Sequence, residues 1–442
     1  MRNFSRYLVA VAALLALGAC SLADDYFGES EDPPLEGKRE AILETGRGAT
    51  ADADVALVPV TVPQPQTSDW PSAGQNPAHS GGNLAWSASA GLAWQANGGT
   101  GSRDAAQRLL ATPIVSAGRV FVLDATLNVH ALDAQTGGTL WAVSTAPEKE
   151  NDGFGGGLAA DGEFVFVAAG HGQALALKAA DGSLVWRVNL PGPARAAPTV
   201  ANGLMFVTTA DNATVALNTS DGSRAWLLRG ISGAASVLGG PAPAVSNDAV
   251  VSALSNGDVV VMHVANGREL WRSSLGSVRR FDFGTKLSDI VGLPAISDNV
   301  LYATSAAGRI AALSLRAGSR VWERRLGGMS SPWIAGDFIY MVTDQAELVC
   351  LFRPDGRIRW VQALDRFSDP ERHKEALYYA GPVMAGGRLV VTRSDGVLKI
   401  FNPASGAEEA VLNIGRPTSL PPVVAGGTLY TLSEDGTLSA FR

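Results

Sequence analysis

The sequence predicts an all-β fold, an eight-bladed β-propeller of four-stranded antiparallel blades. Three observations predict it. A unit of about 44 residues occurs eight times between residues 111 and 441, a Gly and a Trp recur in it at one fixed separation, and its last copy ends one strand short. A repeat of this length, made of short β-rich segments and turns, is typical of propeller blades.

Each copy of the unit has the same internal order. A Pro-led strand is followed by a strand rich in Val, Phe and Tyr, an alternating strand, and a Gly-containing turn before a Trp, as in "ATPIVSAGRVFVLDATLNVHALDAQTGGTLW". Asp-Gly, Asn-Gly and Ser-Gly at the last turn favour antiparallel hairpins, because these dipeptides readily adopt a positive φ. We therefore expect one sheet from each copy, with the Trp on its fourth strand.

The Gly and the Trp stand four residues apart in six copies. We assign them to turns and to packing between blades rather than to a functional site. The seventh copy departs from the pattern, with Ala410 in the Trp position after Gly406. The six pairs are Gly137 and Trp141, Gly182 and Trp186, Gly222 and Trp226, Gly267 and Trp271, Gly318 and Trp322, and Gly356 and Trp360.

The last copy, "LYTLSEDGTLSAFR", has no fourth strand of its own. An open ring would leave two raw sheet edges, which promote aggregation. Upstream of the first copy, "LAWQAN" matches the fourth strand "LVWRVN", and Trp94 stands in the Trp position. We predict that this N-terminal strand near Trp94 completes the last blade and closes the ring.

The first residues are typical of a secretory signal peptide, with two Arg, an apolar run and small residues. Leu17 to Cys20 resembles the bacterial lipobox, which predicts a signal peptide over residues 1–19 and acylation of Cys20. Cleavage by ordinary signal peptidase, leaving Cys20 unmodified, is the alternative. Acylation would anchor the chain stably, and with Ser21 next we expect a lipid anchor in the outer membrane, on its periplasmic face.

The remaining chain divides into two parts. Residues 20–68 are acidic, interrupted by Pro and Gly, and poor in large apolar side chains, which predicts a lipidated and largely disordered tether. Residues 69–442 hold the propeller.

Composition excludes several function classes. The net charge is −7, and no Lys/Arg-rich tract interleaves with aromatic residues, so nucleic acid is not an expected partner. The five His are scattered, without an i, i+4 pair or a shared repeat position, so we predict no metal site. The sequence contains no Gly-x-Ser-x-Gly element or phosphate loop either, and we predict no catalytic residues. Cys350, inside "AELVCLF", is interpreted as a small apolar core residue.

Over roughly residues 70–442 the copies resemble the pyrroloquinoline-quinone-type propeller repeat, and "DWPSAGQNPAHSGGN" resembles the entry segment of that superfamily. Two families with different functions share it: the quinoprotein dehydrogenases and BamB, the outer-membrane assembly lipoprotein. The dehydrogenases have a vicinal Cys pair and a calcium site, which this sequence lacks. Together with the lipobox and the acidic tether, this makes the chain most similar to the BamB family, which implies no cofactor and no enzyme activity.

The BamB resemblance implies a scaffold of the outer-membrane β-barrel assembly machinery. Its partner would be a BamA-like subunit, bound at its periplasmic POTRA domains through propeller loops, and unfolded outer-membrane proteins are a further candidate. A quinoprotein dehydrogenase and a periplasmic peptide- or glycan-binding propeller stay open as alternatives.

The docking residues are sought in the longest connections between blades. The distance from Trp to the next Pro is 17 residues after Trp226, 23 after Trp271 and 22 after Trp360, against 12 after Trp186. The last of the long connections, "DRFSDPERHKEALYY", is interpreted as a short helix with a charged solvated face.

Two segments resemble the family's docking surface. "KLSDI" is similar to Arg-Leu-Ser-Asp-Val and implicates Lys286, Leu287 and Asp289, although Asp289 could also be a turn-forming side chain. "SVLGG" implicates Val237 and Leu238, while a competing alignment uses "LLRG", Leu227 to Gly230. Arg279 and Arg280, followed by Phe281, are a further candidate patch, although such a segment could also be a solvated loop.

Overall fold

The computed structural model describes residues 48–442 except 56–57, 88, 90, 104–106, 147–154, 232–238, 277–288 and 329. Its strands form eight four-stranded antiparallel sheets, each one blade of a propeller. This confirms the predicted all-β, eight-bladed fold. A single turn of 3₁₀-helix spans Ala53–Val55, and no helix in the described residues has the length and apolar character that a membrane span needs.

Strand β1, Leu92–Asn97, precedes the repeats. Blade one contains β2 to β5, which are Ile114–Ser116, Arg119–Leu123, Asn128–Asp133 and Thr139–Ser144, and blade two contains β6 to β9, which are Gly156–Asp161, Phe164–Ala169, Gln173–Lys178 and Leu184–Asn189. Blade three contains β10 to β13, which are Thr199–Ala201, Leu204–Thr208, Ala213–Asn218 and Arg224–Arg229. Blade four contains β14 to β17, which are Ala244–Ser246, Ala249–Ala253, Asp258–His263 and Glu269–Ser274.

Blade five contains β18 to β21, which are Ala295–Ser297, Val300–Ser305, Arg309–Ser314 and Arg320–Arg324. Blade six contains β22 to β25, which are Trp333–Ala335, Phe338–Val342, Glu347–Phe352 and Ile358–Ala363. Strands β26, Phe367–Asp369, and β27, Lys374–Ala376, form a separate hairpin. Blades seven and eight contain β28 to β34, Tyr379–Ala385, Arg388–Arg393, Val397–Phe401 and Glu408–Asn413; Val423–Ala425, Thr428–Leu432 and Thr437–Phe441.

The burial of the strands explains their composition. In blade two, β7 and β8 are buried along almost their whole length, whereas β9 at the rim is mostly exposed. Middle strands are covered on both faces by the neighbouring blades, so they are apolar throughout rather than alternating. The core of the molecule therefore lies between the blades.

The repeated Gly and Trp join neighbouring blades, as the sequence predicts. A Cβ atom on Gly222 would lie 2.7 Å from the ring of Trp186 in the preceding blade, and the Trp186 indole N–H donates to Thr219 O at 2.8 Å. Because any Cβ atom would clash with the ring, only glycine allows the ring to pack this closely on the backbone here. The same contact occurs between Gly137 and Trp94, Gly182 and Trp141, Gly267 and Trp226, Gly318 and Trp271, Gly356 and Trp322, and Gly406 and Trp360.

The predicted closing strand is confirmed. Strand β1 pairs antiparallel with β34, in a register that runs from Leu92 opposite Phe441 to Asn97 opposite Thr437. The pairing continues past the strand, where the Gly91 and Arg442 backbones exchange hydrogen bonds of 2.8 and 3.0 Å. Both ends of the propeller therefore meet in blade eight.

The antiparallel blades give the ring two different ends. Turns between first and second strands, and between third and fourth strands, lie at one end, which we call the turn face. The opposite end carries the connections between blades, and we call it the connection face, defined by the described residues 190–198, 230–231, 239–243, 275–276, 289–294 and 364–378.

Residues 68–86 run along the innermost strands of the ring near the turn face. They hydrogen-bond to equivalent backbone positions in the first strands of five blades, and so satisfy innermost strand edges that would otherwise be unpaired. The pairs are Trp70 with Val115, Pro71 with Ala160, Pro77 with Val245, Ala78 with Ile296, and Leu84 with Met384.

The part of the predicted tether that the structure describes contacts blade six. Asp52 N donates to Ile358 O at 2.7 Å, the Asp52 carboxylate accepts from Ile358 N at 2.7 Å, and Val55 is fully buried. Contacts with the propeller thus begin before the predicted boundary at residue 69, while residues 20–47 lie outside the described residues.

The short helix expected in the connection before blade seven is wrong. This segment is the hairpin of β26 and β27, in which Phe367 pairs with Ala376 and Asp369 with Lys374. His373 and Glu375 have φ angles of 51° and 57°, which an α-helix does not allow.

Candidate partner-docking surface

The connection face carries the loops in which the sequence places the docking residues. Seven of the predicted positions lie outside the described residues: the lipidation site Cys20 and the docking candidates Val237, Leu238, Arg279, Arg280, Lys286 and Leu287. Their roles stay predictions.

The competing alignment falls on a regular strand. Leu227 to Arg229 complete β13, at the rim of blade three. The Arg229 side chain is largely exposed and lies 3.9 Å from Asp211. These residues therefore belong to a blade rather than to a connection.

Asp289 is described and lies inside the molecule. Its side chain is fully buried and its carboxylate accepts a hydrogen bond from Nη2 of Arg195, which is itself only 4% exposed. Arg195 belongs to the connection 190–198, two blades away along the ring. In this arrangement the carboxylate faces Arg195, and direct contact with a partner would require this ion pair to open.

Arg195 also contacts the connection that lies between these two. Its Nε donates to Gly239 O at 3.0 Å, and its backbone N donates to Thr208 O at 3.0 Å. One guanidinium therefore links three consecutive connections. The sequence offers no signal for this role, because Arg195 is a lone cation in "GPARAAP", outside every repeat and motif.

The connection 275–294 is fixed at both described ends. Leu275 and Ile290 are fully buried between blades four and five. Ser305 Oγ donates to Leu275 O at 3.1 Å, and Ala306 N donates to Asp289 O at 2.9 Å. The turn between β19 and β20 thus holds the two ends in place.

The connection 230–243 presents an apolar side chain to solvent. Ile231 is 72% exposed, whereas its backbone carbonyl accepts a 2.9 Å hydrogen bond from buried Asn212. Asn212 is fixed in turn by Ser255, whose backbone N donates to its Oδ1 at 3.1 Å. An exposed aliphatic side chain whose backbone is hydrogen-bonded to a buried side chain is a suitable anchor for a partner protein.

A cavity of about 520 Å³ is bounded by residues of segment 68–86, of the connection face and of blades six and seven. The rings of Trp70 and Trp333 stack there, with centroids 6.0 Å apart and an angle of 17°. Among the described lining residues Asp344 carries the one carboxylate, and none is Lys or Arg. A polycarboxylate such as pyrroloquinoline quinone needs cationic partners when it is buried, so this lining does not fit that cofactor.

The described residues offer no other reactive centre of the kinds that the sequence brought into question. They contain no group of three or more His, Cys, Asp and Glu side chains that could hold a metal ion. Cys350 is fully buried in β24, and burial raises the pKa of its thiol far above the usual range. This agrees with the interpretation of Cys350 as a core residue.

Comparison with known proteins gives the family. The family model described as outer membrane protein assembly factor BamB matches residues 125–362. The protein of that name from Yersinia pestis is 30% identical over 358 residues, which cover 79% of this chain and 88% of the relative. The Escherichia coli K12 protein is 29% identical over 356 residues, covering 78% of this chain and 87% of the relative.

Solved structures share the fold. The crystal structure of BamB from Moraxella catarrhalis has a TM-score of 0.67 at 19% identity, and the match covers 80% of this chain and 99% of that one. Quinohemoprotein alcohol dehydrogenase from Comamonas testosteroni has a TM-score of 0.65 at 14% identity, covering 88% and 82%. Fold alone does not separate these two functions, but the sequence matches do, and the chain belongs to the BamB family of outer membrane protein assembly factors.

Proposed function

We propose that this chain is a non-catalytic scaffold of the outer-membrane β-barrel assembly machinery. A lipid on Cys20 anchors it to the periplasmic face of the outer membrane. The connection face docks onto the POTRA domains of a BamA-like subunit and so assists the folding and insertion of outer-membrane proteins. The observation that carries the proposal is the similarity to BamB relatives over about four fifths of the chain.

The structure supports the assignment of docking to the connection face. Ile231 offers an exposed apolar contact, and the ends of both predicted docking connections are held by buried groups. Rigid presentation lowers the entropy that binding must overcome. The cavity that holds the Trp70 and Trp333 rings does not favour the dehydrogenase alternative, because its described lining contains no Lys or Arg for a quinone carboxylate.

The proposal is tested with the full acylated chain, purified in detergent, and immobilised POTRA domains of a BamA-like subunit. We expect retention of the wild-type chain and a loss of affinity of roughly tenfold for Ile231→Ser, the size of effect that an interface anchor produces. Leu184→Ser is the matched control, because Leu184 is 53% exposed and lies at the start of β9, on the turn-face side. A wild-type chain that is not retained would refute the docking function, and equal losses for both variants would refute this site.

The charged docking candidates are tested by the double variant Arg279→Glu with Arg280→Glu in the same assay. Asp289→Arg does not serve this purpose, because it would bury a second cation beside Arg195 and destabilise the fold. If neither the POTRA domains nor an unfolded outer-membrane protein is retained, the peptide- or glycan-binding alternative gains support.

The lipid anchor is tested separately. Metabolic labelling with a palmitate analogue should label the wild-type chain and not Cys20→Ser. The variant should no longer be found in the membrane fraction. Membrane association of unlabelled Cys20→Ser would contradict the anchor and leave the docking proposal untouched.

A further inference from the structure

We infer that Arg195 is the positioning residue of the docking surface, because it fastens the ends of both docking connections to each other. The inference rests on the proposed function, but its geometric part stands on described residues alone. Nε bonds Gly239 O at the end of the connection before blade four. Nη2 bonds Asp289 at the end of the connection before blade five.

The chemistry of the guanidinium suits this role. Its planar fork presents several N–H donors in fixed directions, so one side chain can hold two acceptors at a set angle. Lys, as a point charge on a flexible chain, cannot fix both acceptors in this way. Removal of the fork should therefore release Gly239 from Asp289 even where the positive charge is kept.

Gly240 gives independent support. A Cβ atom at this position would lie 2.6 Å from Nε of Arg195 and 2.8 and 2.9 Å from its Cγ and Cδ. The backbone of the connection before blade four therefore packs directly on the Arg195 side chain. Gly240→Ala should displace that side chain without altering any charge.

Because the ion pair of Arg195 and Asp289 is buried, it fixes the position of the connections more than it adds to the overall stability of the fold. The pair is almost completely buried, 4% and 0% exposed, and the desolvation of two charges offsets much of their attraction. The connection 190–198 stays fixed without the side chain, because Arg195 N bonds Thr208 O and Ala194 N bonds Ala169 O. What the guanidinium adds is the relative placement of the two other connections.

The experiment uses hydrogen exchange and POTRA binding on the full chain in detergent. For Arg195→Lys and for Gly240→Ala we expect exchange at peptides covering 239–242 and 289–291 to rise, and the POTRA dissociation constant to rise, each by roughly tenfold. Arg353→Lys is the matched control, because Arg353 pairs with Asp298 of the neighbouring blade at 2.7 Å on the turn face. The control should change neither quantity.

A double variant separates positioning from folding. Arg195→Met with Asp289→Asn removes both buried charges, so the double variant should fold even if a single neutral variant, which leaves one buried charge unpaired, does not. Its hydrogen exchange at both peptides should still be faster, and its POTRA binding weaker, than in the wild-type chain. Wild-type exchange at both peptides in Arg195→Lys, or wild-type binding by the double variant, would overturn the inference. If the wild-type chain does not bind POTRA domains, the proposed function fails, and the exchange data alone decide whether Arg195 fixes the connections.

Discussion

The contact between a turn Gly and the Trp of the preceding blade can be measured with a pair of matched substitutions in blade three. Gly222 and Gly203 have almost equal φ angles, 73° and 74°. A Cβ atom on Gly222 would lie 2.7 Å from the Trp186 ring and 3.0 Å from Val188, whereas one on Gly203 would meet nothing within 4 Å. Ala at both positions therefore imposes the same backbone strain and only one steric clash.

The expected magnitudes follow from these two effects. An L-residue in the left-handed region costs about 1–2 kcal/mol, which is the whole effect expected for Gly203→Ala. Overpacking against a buried ring adds about 1–3 kcal/mol, so Gly222→Ala should cost about 2–5 kcal/mol. The difference between the two variants measures the inter-blade contact.

Equilibrium unfolding in urea, followed by far-ultraviolet circular dichroism, provides the assay. If the slope of the unfolding free energy against urea concentration is the same for all variants, a lower midpoint means a lower stability. We expect the midpoint to fall further for Gly222→Ala than for Gly203→Ala. Equal midpoints for the two variants would refute the claim that Trp186 packing holds blades two and three together.

Three further predictions concern the N-terminal segment and the core. Deletion of residues 1–67 should lower the free energy of unfolding by about 2 kcal/mol, because it removes buried Val55. Deletion of residues 1–98 removes β1 together with segment 68–86 and should abolish the cooperative thermal transition; a cooperative melt of this variant would contradict the need for ring closure. Burial lowers the pKa of His79 from 6.5 to about 4, so the unfolded chain takes up the proton first, and stability should be complete above about pH 6.5 and fall by up to ~3 kcal/mol towards pH 4; His79→Asn, which suits the φ of 56°, should lack this loss in urea titrations. Burial also raises the pKa of the Cys350 thiol, so a thiol reagent should label Cys350 only in denaturant, and rapid labelling of the folded chain would contradict its burial.

The blade count and the ring closure were predictable because each depends on a repeated local pattern. Every copy encodes its own hairpins, and the register within a blade is set by neighbouring segments of the chain. Closure needed one long-range step, the match between "LAWQAN" and "LVWRVN", and that match was readable because the closing strand keeps the repeat's own Trp94.

The direction of side chains on the connection face was not predictable in this way. "KLSDI" places Asp289 in a long connection, but whether the carboxylate points outward depends on Arg195, which lies 94 residues earlier. No local pattern encodes that pairing. The hairpin of β26 and β27 was missed for a different reason, because its charged composition also suits a helix. The residues that flank it bond to each other, since Tyr379 Oη donates to Asp365 O at 2.9 Å.

The departure of the seventh copy has a structural cause in the closing blade. Each Trp packs beneath the turn between the third and fourth strands of the next blade, where the conserved spacing of the repeat places a Gly. In blade eight the third strand is β34 and the fourth is β1, so this turn does not exist, and Arg442 and Gly91 meet there as separate chain segments. A Trp at position 410 would have no turn between third and fourth strands to pack beneath. Ala410 in blade seven is therefore explained by blade eight, whose fourth strand, β1 with Trp94, comes from the N-terminal part of the chain.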